Sequence, residues 1–282
     1  MAKAKTPADL TITPRDRRFG RDAAQQRWWL GGDPIATAFH NSLSITFPKG
    51  EAFFIESVKA FREGASPKLD AEIKAFVMQE VMHSREHVAF NKRVVDAGYD
   101  FEPLERVVEE TLAIIRTRPP IVNLAATMAL EHYTAIMASM MLRDSNYMAN
   151  TDAEQVAMWR WHAIEELEHK GVAYDTWLHA TKGWSKWRRW KLKALMMTLV
   201  TLNFWKKRVD GALELLRQDG ITGWKAKWGI TWYLLGRPGI LRRLLPGLAA
   251  YYLPGFHPWN HDDRALIGKA DSDYQAATLA AA

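Results

Sequence analysis

The sequence predicts an all-α protein, a four-helix bundle followed by a C-terminal amphipathic helical extension. Three observations lead there. Apolar residues recur at three- and four-residue steps in four segments, near 51–61, 69–97, 121–142 and 152–180, the period of helices that bury one face. Two of those segments carry a Glu-x-x-His pair, Glu80 with His83 and Glu166 with His169; the other two carry Glu131 and either Glu51 or Glu56. Charge is partitioned as well: Lys182–Arg243 holds 15 basic and 3 acidic residues, whereas the rest of the 282-residue chain holds 23 basic and 29 acidic.

Taken in order, residues 1–33 are a polar N-terminal arm with Arg15, Arg17, Arg18 and Arg21, a short helix expected around Ala23–Leu30, and a Gly31-Gly32 stop. Residues 34–181 make the bundle. Its opening, A-F-H-N-S-L-S-I-T-F-P-K-G, is too punctuated for a long helix, and Pro48 and Gly50 mark the next start. Glu51–Phe61 has apolar residues at 53, 54, 55, 58 and 61 and ends at Gly64. Leu69–Ala97 repeats Ile73, Phe76, Val77, Val81, Val88 and Val94 and stops at Gly98. Leu104–Arg116 is shorter, lying between Pro103 and the Pro119-Pro120 pair. Ile121–Leu142 is apolar and small apart from Glu131-His132, and a single helix over Asp152–Ala180 closes the bundle. Residues 182–267 form the basic, Trp-rich extension and 268–282 a terminal tail.

The chemistry concentrates in W-R-W-H-A-I-E-E-L-E-H-K, residues 159–170. His162, Glu166 and His169 stand at i, i+4 and i+7, on one helix face, while Glu165 and Glu168 are turned about 100° and 200° from Glu166. Glu131, in mid-helix among apolar residues, is costly unless paired or bound to a cation. One Glu from each of two helices and Glu-x-x-His from each of two others is the ligand pattern of ferritin-like di-metal bundles. Two cations about 4 Å apart repel, so carboxylates must bridge and neutralise them. The expected ligands are Glu51, Glu80, His83, Glu131, His162, Glu166 and His169. Glu56 competes with Glu51, and His87 is a further ligand, a supporting group or a proton relay. Glu165 is the candidate general base, and Tyr133 a candidate catalytic group near the site by helical phase. Tyr174 shares that phase, and His257 and His261 are candidate caps on the site.

The chain has no cysteine, which excludes disulfides, iron–sulfur clusters and thiolate zinc sites. Nitrogen and oxygen ligands must then hold the two metal ions, with iron expected and manganese or zinc as alternatives. The N-terminus lacks a secretory apolar region, and no uninterrupted apolar run reaches the roughly 18 residues of a spanning helix.

The motifs F-P-K-G-E (47–51), Q-E-V-M-H-S-R-E-H (79–87), E-H-Y-T-A (131–135), W-H-A-I-E-E-L-E-H-K (161–170) and F-H-P-W (256–259) resemble a bacterial family of predicted metal-dependent hydrolases. The resemblance covers roughly His40 to Ile267 and implies metal-dependent hydrolytic chemistry. The His-x-x-x-Glu-x-x-His feature is also similar to three-histidine di-iron N-oxygenases that oxidise arylamines. That likeness implies His162 as an added ligand and has no counterpart for His87.

Together these predict a dinuclear, di-iron enzyme in which oxygen activation on an apolar substrate is preferred over hydrolysis. Hydrolysis by a metal-activated water with Glu165 as base is the alternative, and a non-enzymatic metal-binding, membrane-associated protein the third reading. Lys/Arg clusters beside Trp over residues 183–250 suit a membrane surface, with packing on the bundle or on a second copy in a homodimer as the other use. No nucleic-acid module is recognised, so nucleic acid is not an expected partner. Placement is expected to be cytoplasmic, peripheral on the inner face of the membrane.

Overall fold

A computed structural model describes residues 5–20 and 24–281. Those residues form helices joined by short turns, with no strand among them. The helices are α1 (Pro34–Ser44), α2 (Phe47–Lys59), α3 (Pro67–Asp96), α4 (Glu102–Arg116), α5 (Pro120–Arg143), α6 (Ala153–His169), α7 (Val172–Ala180), α8 (Lys186–Gln218), α9 (Gly223–Leu235), α10 (Ile240–Tyr251) and α11 (Arg264–Ala281).

Local chemistry sets most boundaries. The Asp33 carboxylate accepts from the Ile35 and Ala36 amides and so caps α1, with Pro34 at the first helical position. Ser66 caps α3 in the same way through the Leu69 amide, Asp152 caps α6 through Glu154 and Gln155, and Ser185 caps α8 through Arg188. Gly98, at φ +95°, takes the left-handed conformation that ends α3.

Helix α2 packs on α3, α5 on α6, α2 on α5, and α3 on α6, so these four surround a common interior. Trp161, Phe76, Phe53, Met128 and Tyr133 are among the side chains removed from solvent there, each such side chain contributing about 2 kcal/mol or more of apolar burial. The long α8 crosses this group against α1 and α5, with α9 and α10 packed alongside it or α5.

Three elements differ from the sequence reading. Residues 24–26 are irregular and 27–32 are turns, so the described part of the helix expected at Ala23–Leu30 is absent. Ala23 and the arm's Arg21 lie outside the described residues. The helix expected over 152–180 breaks at Lys170-Gly171, where the backbone approaches the N-terminal arm so closely that a Cβ on Gly171 would meet Thr6 Oγ1 at 2.6 Å and Trp259 Nε1 at 2.9 Å. Residues 268–281, expected as a tail, continue α11, which packs on α6.

Candidate metal centre

Four helices deliver the charged residues of the interior. Glu51 comes from α2, Glu80 and His83 from α3, Glu131 from α5, and His162, Glu166 and His169 from α6; all are almost fully buried. Their donor atoms form three overlapping groups within 4.8 Å: Glu51, His83 and His162; Glu80, His83 and Glu166; and Glu80, Glu131 and His169. Glu80 presents Oε1 to His169 Nε2 at 3.3 Å and Oε2 to His83 Nδ1 at 4.0 Å. Glu166 presents Oε1 to His162 Nε2 at 2.9 Å and to His83 Nδ1 at 3.7 Å, and Oε2 to His169 Nε2 at 3.4 Å. The two Glu-x-x-His carboxylates thus span two poles. Glu51 belongs to one, 3.7 Å from His162, and Glu131 to the other, 3.4 Å from His169.

Hydrogen bonds on the far side of each imidazole fix which nitrogen faces the interior. His169 Nδ1 donates to Gln79 Oε1 at 3.0 Å, and the Gln79 amide in turn donates to Glu168 at 3.0 Å, so the Nε2 lone pair points inward. Ser44 donates to Asn91 Oδ1 at 2.7 Å and therefore accepts from His87 Nδ1 at 2.8 Å. That leaves His87 Nε2 as the acceptor for His162 Nδ1–H, 2.7 Å away, and turns the Nε2 lone pair of His162 inward. With Glu165 ionised, His83 Nε2–H donates to its Oε2 at 3.1 Å and His83 Nδ1 faces the carboxylates. The N-terminal arm supports this layer: the Arg15 amide donates to Glu165 Oε1 at 2.9 Å and its guanidinium pairs with Glu168 at 2.7 Å.

Lone pairs aimed at carboxylates repel unless a cation or protons stand between them. Both oxygens of Glu80 and of Glu131, Glu51 Oε1, Glu166 Oε2, His83 Nδ1 and His169 Nε2 are buried with no hydrogen-bond partner among the described residues. Burying so many polar atoms unpaired is prohibitive, whereas divalent ions satisfy them together. Without ions, protons take that place. Burial, reinforced by the neighbouring carboxylates, pushes Glu80 well above the usual range, and burial does the same to Glu51. Burial lifts Glu131 to about 8 against the opposing pull of His169. Burial would lower His169, yet Glu166 and Glu131 bring it up to about 9. Burial would raise Glu166, but His169 and His162 hold it well below its ordinary value. The donor set, four carboxylates and three imidazoles, fits divalent metal ions.

The other sequence candidates fall outside the cluster. Glu56 is exposed and pairs with Arg116 at 2.9 and 3.0 Å, because five residues turn it about 140° from Glu51. His87 is a buried relay between His162 and Ser44, not a member of the donor groups. Glu165 is no free base, since both its oxygens are engaged; burial raises it to about 8. The Tyr133 hydroxyl donates to Thr201 at 2.8 Å and accepts from Trp205 at 3.3 Å, which ties it to α8. Tyr174 donates to the Phe256 carbonyl and His257 lies 3.1 Å from Asp175, both away from the centre, and His261 is exposed beside Asp263. Sequence reasoning missed Gln79, Ser84, Ser44, Asn91 and Arg15. Gln79 and Ser84 carried a signal, since both lie in Q-E-V-M-H-S-R-E-H beside the candidate ligands Glu80 and His83.

A cavity of about 500 Å³ adjoins the centre. Glu51, His162 and Glu166 form part of its wall; most of the rest is apolar, including Phe47, Phe54, Leu112, Leu130, Met137, Val200 and Phe204 from α2, α4, α5 and α8. The arrangement can hold an apolar molecule against the pole formed by Glu51 and His162.

No curated protein and no solved structure matches the chain. A family model does match, over residues 13–262, which include every donor described above. Its description names hydrolysis and supports that alternative over the oxygen-activating reading. With the buried His/Glu donor groups and this match over most of its length, the chain belongs to the predicted metal-dependent hydrolase family.

Proposed function

We propose that the protein is a dinuclear metal enzyme that hydrolyses an apolar substrate, and that α2, α3, α5 and α6 are a ferritin-like bundle built to hold its centre. The observation that carries this reading is the convergence of three imidazoles, two of them with the tautomer fixed by their partners, on four buried carboxylates beside a largely apolar cavity. Bound divalent ions would polarise a carbonyl and bring the pKa of a water near neutrality. Glu51, Glu80, Glu131 and Glu166, with His83, His162 and His169, would hold the ions. Ser84 donates to Glu51 Oε2 at 2.7 Å, and Oε1, the oxygen 3.7 Å from His162, has no hydrogen-bond partner among the described residues. Glu165, with both oxygens engaged, is not placed to act as the base, and the apolar part of the wall keeps bulk water from the substrate.

A second reading, O2-dependent oxidation on iron, is favoured by the donor set, which has the Glu, Glu-x-x-His, Glu, Glu-x-x-His composition of di-iron and di-manganese carboxylate proteins. The two readings separate in one assay. Zinc-loaded protein that cleaves acyl esters or amides without O2 supports hydrolysis. Activity confined to iron- or manganese-loaded protein and abolished by removing O2 would overturn it.

We also propose that α8–α10 dock on an anionic membrane surface, as a peripheral protein on its inner face. Trp187, Leu199, Leu202, Trp224, Trp228 and Trp232 are exposed there, Trp224 at 75%, and the last three stack along one face of α9. Exposed Lys186, Arg188, Lys191, Lys225 and Lys227 flank them, the combination that seats in an anionic interface. No helix among the described residues is long and apolar enough to cross a membrane. Co-sedimentation with phosphatidylglycerol vesicles that weakens with salt supports docking. No co-sedimentation, together with a dimer in solution, would assign this face to a second copy.

A further inference from the structure

Most of the cavity wall is apolar, and its charged residues fall into two groups. One is the pair of metal-facing carboxylates, Glu51 and Glu166; every other charged residue on the wall is basic, namely Arg118, Lys207 and Arg208. Arg208 is 5% exposed and has no carboxylate within ion-pair distance among the described residues. Its guanidinium donates to the Ser42 carbonyl, one acceptor for a group with five donors. Lys207 is half-buried beside it and donates to Thr111, a neutral partner.

Burying a guanidinium without a counter-ion is costly, and cost of that kind is retained where a ligand completes the pair. Burial lowers Arg208 to about 10. The α8 residues on the wall run from Met196 to Arg208, a span of about 18 Å along a helix. The wall of the cavity thus carries both a cationic station and the metal-ligand pole, and most of the rest of it is apolar.

We infer that the substrate is an anion-headed amphiphile, its carboxylate or phosphate held by Arg208 and Lys207 and its hydrocarbon chain laid against the apolar wall of the cavity that Glu51 and His162 also line. This rests on the reading of the cavity as the substrate pocket. A planar guanidinium beside an ammonium suits an oxyanion through charge-assisted hydrogen bonds. The apolar wall from Leu112, Leu130, Met137 and Val200 supplies the burial that a hydrocarbon chain requires.

The test is equilibrium binding by calorimetry on the full chain, first stripped of metal by chelation and then metal-loaded. The probes are dodecanoate, dodecyl phosphate, dodecanol and dodecylamine. Dodecanoate or dodecyl phosphate should bind at least about tenfold tighter than dodecanol in the metal-free protein, the scale of one charge-assisted hydrogen bond. Whichever of the two binds tighter identifies the head as carboxylate or phosphate. Lys207→Gln and Arg208→Gln should erase that preference while leaving dodecanol binding in place. Equal affinity for the anions and dodecanol in the unaltered protein, or tightest binding of dodecylamine, would overturn the inference. Anion preference seen only after metal loading would also overturn it, because the head would then be a metal ligand. Metal stoichiometry, measured on the same samples, reports on the dinuclear centre independently, so either reading can fail alone.

Discussion

At the scale of single residues, the centre depends on groups that touch no metal-facing atom. Gln79 holds His169 by its Nδ1, and His87 holds His162 while leaning on Ser44 and Asn91. Replacing such a partner leaves the ligand free to rotate, so Gln79→Leu should weaken metal affinity by roughly 10–100-fold without emptying the site. Competition against a chelator of known affinity measures this, and unchanged affinity would show that the imidazole is oriented by packing alone. Protons and metal compete for the same atoms, which gives a pH signature. In the metal-free protein Glu131 rises to about 8 and His169 to about 9, so the folded state keeps protons that the unfolded chain has released. That part of its stability is present at low pH and is lost as pH rises through the folded values. Metal binding displaces the same protons and grows stronger over the same interval. The gap between metal-loaded and metal-free melting temperatures should therefore widen from pH 6.5 to pH 9. Lys193, brought down to about 8 by burial, titrates in that window too, but in both forms, so it cancels in the difference.

At the scale of elements, the break between α6 and α7 falls directly after the last ligand, His169. Gly171 lets Thr6 and Trp259 approach the backbone there, and Lys170 turns to Asp263 at 2.6 Å. Gly171→Ala would force those neighbours apart and should cost about 1–3 kcal/mol, read as a lower melting temperature. An unchanged melting temperature would mean that the contact relaxes freely. The bounds of α3, α4 and α5 were legible because their periodicity and their proline and glycine punctuation agree. Helix α1 was not, because its Thr37, His40, Asn41, Ser42 and Ser44 are polar yet buried, and polar residues erase the pattern that marks a buried face. Glu51 was preferred to Glu56 from the Pro-Lys-Gly start and the F-P-K-G-E motif, not from the helical period. The period shows that they lie on different faces, but only packing against α3 and α5 decides which face turns inward.

At the scale of the whole molecule, the donor set was readable in sequence because each Glu-x-x-His pair is local, spaced by one helical turn. Its support was not readable. The arm's Arg15 reaches Glu165 and Glu168 from about 150 positions away, a juxtaposition created by the tertiary fold. The basic region divides in a way that composition could not reveal: Arg208 turns into the cavity wall, while Lys225 and Lys227 face solvent with the Trp stack. If α2, α3, α5 and α6 hold the proposed dinuclear centre, metal content reports it. The decisive measurement is the metal content per chain of purified protein, set beside that of a folded Glu131→Ala variant. About two ions per chain, with at least one lost in the variant, is the expected result. A chain that carries no metal after loading, or a variant that keeps full occupancy, would contradict it.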